Sequence, residues 1–158
     1  MGTTSAGLLL FRHAPEGLEV LLAHMGGPLW ERRDVGAWTI PKGEPGPDED
    51  LHAAALREFA EELGSPPPPG PDLPLGAVRQ NGGKTVHAWA REGDLDADAV
   101  VSGTFEMQWP PRSGRTRAFP EVDRAAWLPL ARARELVVSA QAELLDRLAA
   151  ALEADPRA

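Results

Sequence analysis

Three glutamates within one short stretch are the residues most suited to chemistry in this chain. Glu58, Glu61 and Glu62 stand at i, i+3 and i+4, which in a helix share one face. Like charges so placed repel and destabilise an isolated helix, so the pattern favours a bound cation. Hard divalent ions such as Mg2+ prefer oxygen ligands, which clustered carboxylates supply.

The glutamates belong to a longer pattern between Gly43 and Ser65, which reads GEPGPDEDLHAAALREFAEELGS. Its fixed positions follow the order Gly-x5-Glu-x7-Arg-Glu-x2-Glu-Glu-x-Gly. This order resembles the Nudix box, the signature of the Nudix hydrolase family. The matching positions are Gly43, Glu49, Arg57, Glu58, Glu61, Glu62 and Gly64. Phe59 and Ser65 depart from it where an aliphatic residue is usual, and both positions concern packing.

The resemblance implies a hydrolase that cleaves a diphosphate linkage with Mg2+, or with Mn2+ as the alternative metal. It implies Glu58 and Glu62 as the leading metal ligands and Glu61 as a ligand or a water-orienting group. The backbone carbonyl of Gly43 is a further candidate ligand, because its loop must approach the helix closely.

Three other positions of the pattern have roles in the architecture of such a site. Through the resemblance, Arg57 joins the candidate catalytic residues, and Glu49 orients the loop. From spacing alone, Glu49 and Arg57 could equally form an ordinary surface pair worth well under ~1 kcal/mol. Gly64 stands where a glycine ends a helix in the left-handed conformation.

Candidates outside the pattern complete the predicted site. Nudix enzymes often take a catalytic base from the box or from a later glutamate, and Glu106 and Glu121 are the two candidates here. Lys42, directly before Gly43, is the best placed cation for substrate phosphates. Trp30 lies in an irregular stretch, where it could stack on a nucleobase or pack at the rim of the core.

The substrate is less well defined by the sequence. The run from Trp38 to Gly43 resembles the Trp-x-x-Pro-Lys-Gly run common in diadenosine polyphosphate and diphosphoinositol hydrolases. The chain has no tyrosine, although dinucleoside polyphosphate enzymes commonly stack one downstream. We therefore expect a small-molecule nucleotide substrate of the dinucleoside polyphosphate or nucleoside triphosphate type. A non-catalytic, nucleotide-sensing Nudix-like domain and an interaction module using the proline run 66–69 are the alternatives.

Composition narrows the class of protein. A net charge of −8 and a pI of about 5.0 argue against stable nucleic-acid binding. Without cysteine, the chain has no disulfide and no thiolate metal site. The first residues lack a signal-peptide pattern and no apolar run is long enough to cross a membrane, which predicts a cytoplasmic protein. The oligomeric state stays open, a homodimer included.

The pattern of elements predicts how the site is positioned. Two hairpins are expected, from strands 5–12 and 18–24 and from strands 75–80 and 84–90 around Asn81-Gly82-Gly83. A helix is expected over residues 49–63, with Asp48 as its N-cap. Strands and helices mix without regular alternation, which favours an α+β fold. The resemblance implies a Nudix-like α/β/α sandwich with a mixed sheet between helices, formed as one domain over residues 1–158 with its core in about 5–152.

Overall fold

The computed structural model describes residues 3–154 of the chain. Its strands are β1 Thr3–Ala14, β2 Gly17–Met25, β3 Trp38–Thr39, β4 Lys42–Gly43, β5 Asp72–Gln80, β6 Lys84–Glu92, β7 Thr104–Gln108, β8 Thr116–Pro120 and β9 Val122–Pro129. Its α-helices are α1 Leu51–Leu63, α2 Leu130–Leu136 and α3 Ala142–Ala154. The two predicted hairpins are present as β1–β2 and β5–β6.

Seven strands form one mixed sheet, in which β1 runs parallel to β6 and antiparallel to β2. β1 and β2 pair only beside their turn, between Phe11–Ala14 and Gly17–Val20. Further along, β3 pairs with β2 and β4 pairs with β1. Because β9 occupies the other edge of β2, the segment that leads into the glutamate-rich pattern fills the opening between β1 and β2.

Helices cover both faces of this sheet. Along β1, side chains alternate between faces as a pleated strand requires. Leu8 and Leu10 pack against α1 through Phe59, whereas Leu9 belongs to the cluster that includes Leu144 of α3. The fold is therefore the expected α+β sandwich with a mixed sheet between helices.

Helix α1 begins two residues later than the sequence predicts. Its N-cap is Asp50, whose side chain accepts a hydrogen bond from the backbone N–H of Ala53. Asp48 has a left-handed φ of 62° and lies in the preceding turn, so its prediction as the N-cap is wrong. At the other end, Gly64 has a φ of 83° and donates its N–H to the carbonyl of Ala60, as predicted.

Strands β7 and β8 form a separate two-stranded sheet. Glu121 links this sheet to the main sheet, because it lies between β8 and β9 and its carbonyl accepts the N–H of Gly26 after β2. Within residues 3–154, no helix is long and apolar enough to cross a membrane.

Candidate active site

The loop before α1 approaches the helix most closely at Gly43. A side-chain β-carbon added there would lie 2.1 Å from the carboxylate carbon of Glu58, so only glycine leaves room for that carboxylate. One residue earlier, the backbone N–H of Lys42 donates to Oε2 of Glu62 at 3.2 Å. Two adjacent residues of β4 therefore contact two carboxylates one helical turn apart.

Arg57 organises the rest of the glutamate face. Its Nε and Nη2 atoms donate to the two carboxylate oxygens of Glu49, each at 2.8 Å. Its Nη1 atom donates to Glu58 at 3.0 Å and to Glu61 at 3.1 Å, and Nη2 also reaches the carbonyl of Glu44. Glu49 in turn accepts the N–H of Gly46 at 2.8 Å. Glu49 and Arg57 thus tie the loop to the helix, which a loose surface pair would not do.

The surroundings of the acidic residues shift their pKa values in opposite directions. The Arg57 guanidinium and then the Gly46 N–H lower the pKa of Glu49 to about 2. Burial above all raises the pKa of Glu62 to about 8; the N–H and the charge of Lys42 oppose this rise, and the charges of Glu58 and Glu121 add to it. Burial likewise raises the pKa of Glu58. Two half-buried carboxylates that resist ionisation side by side are a setting in which positive charge is stabilising.

Lys42 supplies part of that charge. Its side chain is half-buried, and burial lowers the pKa of its ammonium group while the charge of Glu62 opposes this shift. Lys84 at the start of β6 is near enough for its charge to lower the Lys42 pKa as well. The predicted phosphate contact of Lys42 therefore has a second cation beside it.

The two candidate bases lie in different surroundings. Glu121 is near enough to the box for its charge to raise the pKa values of both Glu58 and Glu62. Glu106 is exposed in the middle of β7, where it pairs with Ala118 of β8. Among residues 3–154, no hydrogen bond or ion pair joins the Glu106 side chain to the box, so its catalytic role stays a prediction.

Trp30 lines a narrow apolar slot of about 230 Å3 together with Gly26, Gly27, Phe105 and Met107. The slot lies beside Glu121, since the N–H of Gly26 donates to the Glu121 carbonyl at 2.9 Å. The position is compatible with the predicted contact to a flat ring, and that contact stays a prediction.

Sequence reasoning missed one residue that positions the site. Gln141 is fully buried, and its Oε1 atom accepts the backbone N–H of Ile40 at 2.9 Å. Its Nε2 atom donates to Thr39 at 2.9 Å and to Gln80 at 2.8 Å. These bonds fix the segment directly before Lys42. No sequence signal marks Gln141, because it lies in a short turn before α3, 101 residues beyond Ile40 and 61 beyond Gln80.

A family model described as the NUDIX domain matches residues 2–148, nearly the whole chain. The chain belongs to the Nudix family. No curated protein sequence matches the chain.

Several solved structures have a similar fold. The chain is similar to an Ap4A hydrolase of C. elegans in a binary complex, with a TM-score of 0.69 and 22% identity over 96% of this chain and 99% of that one. The NUDIX domain of Shewanella oneidensis NrtR, complexed with ADP ribose, has a TM-score of 0.65 and 18% identity over 96% and 89%. The MutT protein of Methanosarcina mazei Go1 has a TM-score of 0.63 and 22% identity over 96% of each chain.

Nudix hydrolases generally use divalent metal ions, and the donors present here fit such an ion. Glu58 and Glu62 offer carboxylate oxygens on one face, and the missing side chain at Gly43 lets the Glu58 carboxylate lie against the backbone of β4. Within residues 3–154, no three His, Asp or Glu side chains converge closely enough to hold a metal ion as they stand. Arg57 instead pairs with Glu58 and Glu61. These carboxylate oxygens are thus the kind of ligand that a hard cation prefers, and Arg57 neutralises part of their negative charge.

Proposed function

We propose that this Nudix hydrolase is a Mg2+-dependent pyrophosphohydrolase, with Mn2+ as the alternative metal. Its proposed substrate is a nucleoside di- or polyphosphate derivative of the dinucleoside polyphosphate or nucleoside triphosphate type. The observation that carries the proposal is the close approach of Gly43 to Glu58, with the Lys42 N–H on Glu62 directly beside it.

In this proposal Glu58 and Glu62 hold the metal, with Glu61 as a further ligand or as the group that orients the attacking water. The carbonyl of Gly43 is the proposed backbone ligand. Bound divalent metal would neutralise phosphate charge and activate water. Arg57 keeps the glutamate face and the loop in register, because it bonds Glu49 on one side and Glu58 and Glu61 on the other.

The chain's other groups have proposed roles around the diphosphate. Lys42 contacts its phosphate oxygens, and Trp30 contacts the nucleobase. Of the two later glutamates, Glu121 is the better supported as a group near the reacting phosphates, because its charge acts on the box carboxylates. Glu106 is kept as the second candidate base, and kinetics of Glu106→Gln and Glu121→Gln would separate the two.

One substitution tests the metal assignment directly. Glu62→Gln keeps the oxygen that accepts the Lys42 N–H, so we expect it to keep the fold and lose nearly all metal-dependent turnover. Glu135→Gln on α2 is the matched control, since it removes an exposed carboxylate whose pair with Arg132 is worth at most ~1 kcal/mol. Unchanged turnover in Glu62→Gln would overturn the proposal.

The substrate is tested by incubating the protein and Mg2+ or Mn2+ with nucleoside triphosphates, nucleotide sugars, ADP-ribose and dinucleoside polyphosphates. Identification of the products locates the cleaved bond. We expect release of products from a nucleoside triphosphate or a dinucleoside polyphosphate. Tight binding of one of these without any turnover would favour the nucleotide-sensing alternative instead.

A further inference from the structure

A second cavity, of about 600 Å3, opens between residues 28–33 and the β7–β8 hairpin. We name it the arginine pocket after its lining residues, Arg32, Arg33, Trp109, Arg117 and Phe119. Three guanidinium groups and a single carboxylate, that of Glu31, border it. This is a local excess of positive charge in a chain whose net charge is −8.

The three guanidinium groups have no counter-charge from the described protein; those of Arg33 and Arg117 pack against the rings of Trp30 and Phe119 instead. Within residues 3–154, none of them forms an ion pair or a side-chain hydrogen bond to the protein. Seven arginines elsewhere are ion-paired, namely Arg12, Arg57, Arg91, Arg124, Arg132, Arg134 and Arg147. Since guanidinium stays charged at any ordinary pH and matches phosphate oxygens in geometry, three unpaired groups on one cavity suit a phosphate-bearing ligand.

Aromatic rings stand among these charges. The Arg117 guanidinium carbon lies 5.3 Å from the centre of the Phe119 ring, and the Trp109 ring meets Phe119 edge-on at 6.5 Å. Both rings are half-buried. Flat rings interleaved with guanidinium groups offer stacking surfaces to a nucleobase as well as donors to its phosphates.

The arginine pocket adjoins the apolar slot, which lies beside Glu121. Its wall residue Phe119 lies two positions before Glu121, whose charge acts on Glu58 and Glu62. The apolar slot beside Glu121 shares Pro28 and Leu29 with the pocket. Arg117 and Glu121 are four residues apart, roughly 13 Å along an extended chain. Cationic side chains therefore occur at both ends of this surface, Lys42 beside Glu62 at one end and the three arginines at the other. This arrangement suits a polyphosphate bridge better than a single terminal phosphate.

We propose that the arginine pocket binds the distal nucleotide of a dinucleoside polyphosphate. Its phosphates lie on Arg32, Arg33 and Arg117, and its base lies against Trp109 and Phe119. This inference rests on the proposed function and narrows the substrate to molecules with a nucleotide at each end of the phosphate bridge.

Calorimetric titration of the whole protein with diadenosine tetraphosphate, ATP and inorganic tripolyphosphate tests the pocket. We expect Arg117→Gln, and the pair Arg32→Gln with Arg33→Gln, each to weaken diadenosine tetraphosphate binding about tenfold or more. Arg117→Lys should recover part of the loss. Arg112→Gln is the matched control, because it removes the same charge from the same hairpin without lining the pocket; its effect should stay within about twofold.

The proposed contact between the base and Trp109 is tested separately. Trp109→Leu should weaken diadenosine tetraphosphate binding and leave tripolyphosphate binding unchanged, with Trp109→Phe intermediate. Thermal unfolding of each variant shows whether the hairpin has stayed folded. Where turnover occurs, KM for diadenosine tetraphosphate should rise in the arginine variants with kcat little changed, as expected for lost ground-state binding.

Several outcomes would overturn the proposal. Equal weakening by Arg112→Gln and Arg117→Gln would mean a general electrostatic effect. Tripolyphosphate or ATP binding as tightly as diadenosine tetraphosphate, with the same losses, would mean that no distal nucleotide is recognised. Binding that follows the pocket variants without cleavage of any substrate would remove the proposed function and leave the pocket standing. Cleavage of diadenosine tetraphosphate with unchanged KM in every pocket variant would overturn the role of the pocket and leave the proposed function standing.

Discussion

Replacing Gly43 with alanine would place a methyl group where the Glu58 carboxylate now lies. The added carbon would be 2.1 Å from the carboxylate carbon and from Oε2, whereas ordinary contact begins at 3.4 Å. Gly43 lacks the left-handed φ found at Gly64 and several other glycines, so alanine can adopt its backbone conformation. The substitution therefore displaces the carboxylate rather than the strand.

The size of the effect follows from that displacement. Restoring ordinary contact moves the Glu58 carboxylate by roughly 1 Å or more, and a misplacement of about 1 Å at a catalytic group costs on the order of 10²-fold in rate. This corresponds to about 2.7 kcal/mol of transition-state stabilisation. Folding stability should change by less than about 1 kcal/mol, since alanine also restricts the unfolded chain.

The assay is kcat/KM for the best substrate of the panel at saturating Mg2+, together with Mn2+ affinity by titration and a urea unfolding curve. Gly46→Ala is the control in the same loop, because its nearest neighbour, Oε1 of Glu49, is 3.7 Å from the added carbon. We expect Gly46→Ala to keep its activity within about threefold. Full activity and metal affinity in Gly43→Ala, or an equal loss in both variants, would refute the role of this close approach.

Two further substitutions probe the groups around the loop. Glu49→Gln should flatten the pH dependence of thermal unfolding: Arg57 holds the folded pKa of Glu49 at about 2, below the ordinary 4.5, so its stabilising effect is present above pH 4.5 and lost as pH falls toward 2. If the melting temperature of Glu49→Gln depends on pH in this range as that of the unsubstituted protein does, the Glu49–Arg57 pair does not have the expected effect. Gln141→Leu should lower the free energy of unfolding by about 1–3 kcal/mol, because the buried N–H of Ile40 loses its acceptor. Urea unfolding measures the loss, and an unchanged midpoint would show that Gln141 is not needed to hold the segment before Lys42.

Local chemistry explains why much of the fold was predictable. The short apolar runs of β1 and β2 and the Asn81-Gly82-Gly83 turn are short-range signals, and both hairpins form where these signals place them. The N-cap of α1 is a feature that such short-range signals do not determine. Asp48 and Asp50 are chemically equivalent candidates, and the choice falls to Asp50 because Glu49 is held in the loop by Arg57 and Gly46.

By itself, the sequence determined the glutamate face of α1 and the family to which the chain belongs. Glu58 and Glu62 share a face through helical geometry alone, which any chain with that spacing has once it is helical. Their electrostatic setting depends on groups distant in sequence. The approach of Gly43 to Glu58, the charge of Glu121 beside the box and the bonds of Gln141 exist only because β4 enters the opening between β1 and β2.

The arginine pocket is also a feature that only the tertiary structure creates. Arg32, Arg33 and Arg117 are unremarkable loop and strand residues in the sequence, more than 80 positions apart at their extremes. They meet because β8 ends beside the loop that follows β2, where Gly26 accommodates the carbonyl of Pro120. Sequence spacing thus determined the chemistry of the box, since helix periodicity is local. Only the tertiary structure decided which charges surround it, since those charges come from elements that the sheet brings together.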